Sequence, residues 1–170
     1  MALNRKIYRC RFLFAGEYLF QCFGHRFEHH LCDSPCRGYV VGKHPFPCHA
    51  ELTDVAKQEQ NDNARPEYAG EVPDLSTYDT IYIGAPVWWG DWPMIMYTFF
   101  EQNAEGLSGK KLVPFSTHEG SGLSGFDRKL ESACPNSTIL EGLAIRGNDC
   151  QNKQDSVRSE VSDWLSGLGY

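Results

Sequence analysis

The sequence predicts an α/β protein with a largely parallel sheet, and three observations carry that prediction. The first is Tyr78 to Pro93, which reads Y-D-T-I-Y-I-G-A-P-V-W-W-G-D-W-P. It is a short β-branched and aromatic run, a loop broken by Gly84, Pro86 and Gly90, and a proline suited to open a helix. The second is Lys111 to Thr117, another buried-strand run, followed by a Gly-rich loop and residues at helical spacing. The third is a strand-like Ile139 to Ile145 ahead of a final segment with an apolar helical face. Repeated strand–helix units of this kind build parallel sheets.

Length and charge bound the reading. At 170 residues the chain fits one domain, and a hydrophobic share of 41% is adequate for a core. There is no apolar run of membrane-spanning length and no signal-peptide pattern, which argues for a cytoplasmic protein. A net charge of -6 argues against a nucleic-acid partner.

The charge is unevenly spread. Seven basic and three acidic residues give residues 1–50 a formal +4, while the remaining nine basic and nineteen acidic give residues 51–170 a formal −10. Cys10, Cys22, Cys32, Cys36 and Cys48 are early, against Cys134 and Cys150 late. Five of the six histidines also precede residue 50. The stretch H-R-F-E-H-H-L-C-D-S-P-C places His25, His29, His30, Cys32 and Cys36 within twelve positions, a set of ligand types that zinc accepts. It contains no C-x-x-C pair, and a disulfide framework would need a secretory setting. Within residues 1–50 only Ile7 to Phe14 offers a strand-like run, and it is a poor candidate for a central strand.

From Glu51 the pattern becomes regular. Leu52, Val55 and Ala56 mark an amphipathic helix through Gln60, ending before Asn61-Asp62-Asn63. A polar connection marked by Arg65-Pro66 and by Glu71 to Asp74 leads to the strand Thr80–Ile83. After it, Trp88, Trp89 and Trp92 put three indoles into one short loop. Aromatic residues suit a core corner or a protein interface as well as a flat ligand. Three in one turn-rich loop are hard to bury together, which favours a stacking platform for a planar ligand. Met94, Ile95, Met96, Tyr97, Phe99 and Phe100 continue as a packed helix, and Gly106 to Gly109 makes a turn.

The second strand, Lys111 to Thr117, contains Pro114, which lacks the N–H that a central strand uses. His118-Glu119-Gly120-Ser121-Gly122 forms the loop after it. Ser124 with Asp127 has the spacing of a capping box, and Leu123, Phe126, Leu130 and Ala133 repeat at helical spacing. The last helix gathers Val157, Val161, Trp164, Leu165 and Leu168 on one face.

These loops carry a resemblance. G-A-P-V-W-W-G-D-W-P after one strand and F-S-T-H-E-G-S-G-L-S-G after the next resemble the flavodoxin family, and within it the bacterial proteins with W-W-G and T-H-x-G-S-G loops. A-I-R-G-N-D at Ala144 to Asp149, and the A-K-x-E-x-x-x-x-x-R-P pattern from Ala56, resemble the same subgroup. The match covers residues 51–170, about seventy per cent of the chain.

The resemblance implies a flavodoxin-like doubly wound parallel sheet in the order 2-1-3-4-5, with FMN at the switch point. The cofactor-binding residues it implies are Ala85, Pro86, Val87, Trp88, Trp89 and Gly90 in one loop, with Thr117, His118, Glu119, Gly120, Ser121 and Gly122 in the other. Trp89 or Trp88 would stack on the isoalloxazine, and backbone N–H groups would meet its polar edge. An acidic surface would favour a low potential. His118 could assist proton transfer, although a solvated loop histidine is the simpler reading, since nothing pairs it with a second catalytic group. The implied function is electron transfer or flavin-dependent reduction, with a redox partner protein or NAD(P)H or a quinone as the second substrate.

One element departs from the family. Flavodoxins hold the FMN phosphate in a Ser/Thr/Gly-rich loop after the first strand, where amides and a helix N-terminus face the anion. No Thr occurs before Thr53, and the only early Ser is Ser34. The expectation is therefore that the opening strand and phosphate loop are missing or garbled and that FMN affinity suffers. Ile7 to Ala50 has the look of the right gene translated in the wrong frame: His44-Pro45-Phe46-Pro47-Cys48, shifted by one nucleotide, can read Ile-Pro-Phe-Pro-Ala, close to the P-Y-P-x-x-Y segment expected before the Glu51 helix. Two alternatives stay open, a flavin-free binding or structural module on the same fold and a metal-binding N-terminal segment.

Overall fold

The computed structural model describes residues 10–14, 49–68 and 72–169. Among them the order of elements is β1 (Cys10–Phe14), α1 (His49–Asn61), a 3-10 turn (Leu75–Thr77), β2 (Thr80–Pro86), α2 (Met94–Gln102) and α3 (Ala104–Leu107). Then follow β3 (Lys111–His118), α4 (Phe126–Ala133), β4 (Thr138–Ile139), β5 (Leu143–Arg146), α5 (Gly147–Asn152) and α6 (Gln154–Gly167). The strands form one sheet in the order β1-β2-β3-β4, with β5 also on β3, and every ladder is parallel. This is the 1-3-4-5 part of the expected order. The place that order gives to a further strand, beyond β1, lies outside the described residues.

The strand-like run of the opening segment supplies one strand. Cys10–Phe14 runs parallel to β2 in register, with Phe12 opposite Tyr82. Ladder bonds are made by the backbone, so a segment with an indifferent side-chain pattern can still fill a strand position. The zinc-like His/Cys cluster, the absent phosphate loop and the shifted-frame segment otherwise lie outside the described residues.

The sheet is covered on both faces, as a parallel sheet requires. Ile81, Ile83 and Ala85 of β2 and Leu112 of β3 share one core with Met96, Phe99 and Phe100 of α2 and Phe126 and Leu130 of α4. On the opposite face Tyr82 meets Trp164 of α6 edge to face, centroids 5.7 Å apart. Ile145, Cys150 and Val157 form a second, smaller cluster backed by Leu143 and Val161. The predicted face of the last helix is thus the packed one.

The strand predicted over Ile139 to Ile145 is divided, and Pro114 is the reason. Leu112 pairs with Ile139 and Phe115 with Leu143, so three steps along β3 face four along its neighbour. The break falls opposite Pro114, which has no N–H to give. On its other side β3 pairs with β2 without interruption. The extra residue is absorbed where Gly142 lies so close to Pro114 that a Cβ would stand 2.8 Å from its carbonyl oxygen.

Two further expectations change. The Ser124–Asp127 capping box does not form: α4 starts at Phe126 after Gly125, with Ser124 at φ 54° and Gly125 at φ 71°. An N-cap residue needs extended backbone, which Ser124 does not have. In α1, Ala56 is buried as expected, but Val55 is half exposed. Among the described residues no helix is long and apolar enough to cross a membrane.

Candidate functional site

β2 and β3 are adjacent and parallel, so the loops that follow them leave the same edge of the sheet side by side. Pro86 stands opposite Thr117, and the Val87 N–H still donates to the Thr117 carbonyl at 3.3 Å. The register thus joins two stretches some thirty residues apart in sequence. Ala85 is fully buried and belongs to the core rather than to an open surface, while Pro86 and Val87 are partly buried.

The first loop is a tight reversal. The Trp88 N–H donates to the Asp91 carbonyl and the Asp91 N–H to that of Trp88, both at 2.9 Å. Between them Trp89 has φ 50° and Gly90 φ 76°, the positive pair that a type I′ turn demands. Glycine takes such a conformation freely, but tryptophan does so at a cost of about 1–3 kcal/mol. The result is an indole held out at the apex, 54% exposed.

Helix α1 supports that indole. Trp89 Nε1 donates to the Thr53 carbonyl at 3.1 Å, Gln60 Nε2 donates to the Trp89 carbonyl at 3.2 Å, and Lys57 Nζ lies 5.2 Å from the ring centroid. Trp88 is partly buried. Trp92 is 1% exposed and stacks on Phe126, so the third indole of the expected platform belongs to the core.

The other flank of the turn is braced through Asp91. Its Oδ1 accepts from the Trp92 N–H at 2.7 Å and the Tyr97 hydroxyl at 2.9 Å, and stands 3.1 Å from Lys129 Nζ. Lys129 also donates to the Gly90 carbonyl at 2.6 Å. Burial, helped by the bond to Asp91, pushes the Tyr97 hydroxyl well above the ordinary tyrosine range.

The second loop is anchored at both ends. His118 Nδ1 accepts from the Gly120 N–H at 2.9 Å, so this nitrogen is committed to a local turn. Ser116 Oγ donates to the Gly122 carbonyl at 3.2 Å. Glu119 reaches across to the segment after β5, accepting from the Asn148 N–H at 2.9 Å and from Arg146 Nε at 3.2 Å. Gly147 is pressed against this carboxylate, with Oε1 2.7 Å from where a Cβ would stand. Ser121 and Gly120 are exposed and Gly122 partly so.

The sequence reading missed Thr53, Lys57, Asp91 and Lys129 as parts of this site. Asp91 and Lys129 are 38 positions apart, and nothing local joins them. The helical spacing of Thr53, Lys57 and Gln60 was readable, but only the fold places that face beside Trp89.

The arrangement suits a flat ligand with a polar edge. It offers an exposed ring on one loop and a glycine-rich main chain on the other. Among the described residues no hydrogen bond engages the N–H groups of Trp89, Gly90, Ser121 or Gly122. Between the loops, at the end of β3, the Thr117 hydroxyl is buried and has no hydrogen-bond partner among the described residues, a state that normally costs free energy. Among the described residues no cluster of three or more His, Cys, Asp or Glu could hold a metal ion.

Comparison with known proteins agrees with this geometry. A family model described as Flavodoxin matches residues 52–165. A flavoprotein of Lactobacillus acidophilus NCFM, crystallised in complex with FMN, superimposes with a TM-score of 0.58 at 19% identity, covering 92% of this chain and 97% of that one. A Bacteroides eggerthii DSM 20697 protein, provisionally described as a flavoprotein, gives 0.57 at 22% identity over 88% and 96% of the two chains. At these identities the likeness speaks for the fold. A search of curated proteins finds no match.

Proposed function

The chain belongs to the flavodoxin family, and from that premise we propose that it binds FMN and serves as a redox protein, carrying electrons or supporting a flavin-dependent reduction. The observation that carries this reading is the pairing of Pro86 with Thr117, which sets the indole-bearing turn beside the glycine-rich loop at the carboxyl edge of a parallel sheet. Open α/β sheets bind ligands at that edge.

Bound FMN would supply the redox chemistry, and the chain's residues supply position and charge. Trp89, exposed and oriented by α1, is the stacking ring, and Trp88 flanks it at the base of the turn. The amides of Trp89 and Gly90 on one loop, and of Ser121 and Gly122 on the other, unbonded among the described residues, serve the polar edge. Ala85 and Pro86 at the end of β2, and Val87 just after it, position the first loop; Thr117 offers its hydroxyl between the two. Glu119 holds the second loop against Arg146 and Asn148. His118 shapes its turn through Nδ1, and we assign it no proton transfer.

Residues 1–50 contain no recognisable phosphate loop, so FMN should bind more weakly than in family members that have one, because charge-assisted bonds to the phosphate are among the strongest in such a site. The deciding experiment is the visible spectrum of the purified protein during titration with FMN. Saturable perturbation of the flavin bands supports the proposal. An unperturbed spectrum at millimolar FMN overturns it in favour of a flavin-free binding module. The physiological electron donor or acceptor would be a partner protein, NAD(P)H or a quinone.

A further inference from the structure

We propose that Lys57, which lies in neither loop, is a positioning residue that biases the site toward reduced flavin by holding its ammonium group behind the Trp89 ring. The inference rests on the FMN reading above.

Three residues on one face of α1, spaced four and three apart, control the indole. Thr53 accepts from the ring N–H at 3.1 Å, Lys57 lies over the ring with Nζ 5.2 Å from the centroid, and Gln60 donates to the Trp89 carbonyl at 3.2 Å. Lys57 is itself fixed, since its Nζ donates to Gln60 Oε1 at 2.8 Å. Ring edge, ring face and main chain are therefore tied to a single helix. The ammonium takes up one side of an indole that remains 54% exposed, which leaves the rest of its surface for a ligand.

A cation over an aromatic face is attracted to it, and it also offsets the electron density that the ring presents elsewhere. That matters for a flavin, whose ring is electron-poor when oxidised and negatively charged when reduced at neutral pH. Reduction adds two electrons from a donor and one proton from solvent, leaving one negative charge on the ring system. An indole with nothing behind it stacks better on the electron-poor form. With Lys57 behind it, the platform repels the reduced anion less, and the positive charge attracts it through a medium less polar than water. Most charges of residues 51–170 act the other way, since acidic residues there outnumber basic ones nineteen to nine.

The test measures the dissociation constants of oxidised and dithionite-reduced FMN in parallel, together with the midpoint potential of the loaded protein. Lys57→Met should raise the reduced-to-oxidised ratio of dissociation constants about three- to tenfold. For a two-electron couple this lowers the potential by about 14 to 30 mV. Lys57→Arg, which keeps a cation able to lie over the ring, should retain the wild-type ratio. Lys153→Met removes the same charge from an exposed residue just after α5, paired with Asp149, and should leave the ratio unchanged. In a Trp89→Leu background the effect of Lys57→Met should shrink, because the ring that carries it is gone. An unchanged ratio in Lys57→Met, or an equal shift in Lys153→Met, overturns the role of Lys57 while leaving FMN binding intact. Absence of FMN binding by the wild-type protein overturns both.

Discussion

Trp92 lies flat on Phe126, with ring centroids 3.7 Å apart and planes 15° from parallel, and its indole N–H donates to the Phe126 carbonyl at 3.3 Å. Phe100 meets the same indole edge to face at 5.6 Å. This joins the end of the aromatic loop to the first turn of α4. Trp92→Ala should cost about 3–5 kcal/mol, the scale of removing a buried aromatic ring. Urea unfolding followed by far-ultraviolet circular dichroism checks this, and a loss under 1 kcal/mol would contradict the packing.

Trp89→Ala should behave in the opposite way. The ring is exposed and its left-handed backbone is unfavourable for tryptophan, so stability should change by no more than about 1 kcal/mol. FMN affinity should fall by about 1–3 kcal/mol, the scale of a lost stacking partner. Unchanged affinity in Trp89→Ala, Trp88→Ala and the double variant would rule out an indole platform.

Asp91 gathers the Trp92 N–H, the Tyr97 hydroxyl and the Lys129 ammonium. Asp91→Ala should cost about 1–3 kcal/mol, because it strands partly buried donors. Lys129→Met should cost about 1 kcal/mol or less, since the ion pair is partly exposed. Both should weaken FMN binding through a looser turn. Equal affinity for FMN across wild type and both variants would show that the brace does not serve the site.

Gly84 packs directly beneath the Phe115 ring, where a Cβ would stand 2.1 Å from the nearest ring carbon. Gly84→Ala should therefore destabilise by about 1–3 kcal/mol or more through overpacking. Adding Phe115→Leu should recover part of that loss. A double variant no more stable than Gly84→Ala alone would argue that the strain lies elsewhere.

Alkaline pH should loosen the fold. Burial raises the Cys134 thiol to about 11, and burial with the Asp91 bond raises the Tyr97 hydroxyl above its ordinary value. Both groups hold their protons more tightly folded than unfolded. The stabilisation is complete below their unfolded values, about 9 for the thiol and 10 for the phenol, and is lost as pH rises through the folded ones. Urea midpoints under reducing conditions should fall between pH 8.5 and 11, and less steeply in Tyr97→Phe with Cys134→Ser. Parallel curves would refute the assignment.

Much of this protein was legible in its sequence because much of it is local. The β-branched run before Gly84, the glycine-rich loop after Thr117 and the apolar face of α6 all follow from spacing within a few residues. Pro114 announced an awkward strand, and the ladder indeed breaks opposite it, although only the sheet shows that the break falls on the β4–β5 side. The three indoles of one loop were alike in sequence. Which of them turned inward depended on Phe126, 34 positions away, and which faced out depended on α1 and on a type I′ turn. The same holds for Lys129 beneath Gly90 and for Lys57 behind Trp89. Periodicity reports the side of its own element that a residue occupies. Contacts between elements come from the register of the sheet and the seating of the helices on it, and those are set by the packing of the whole chain.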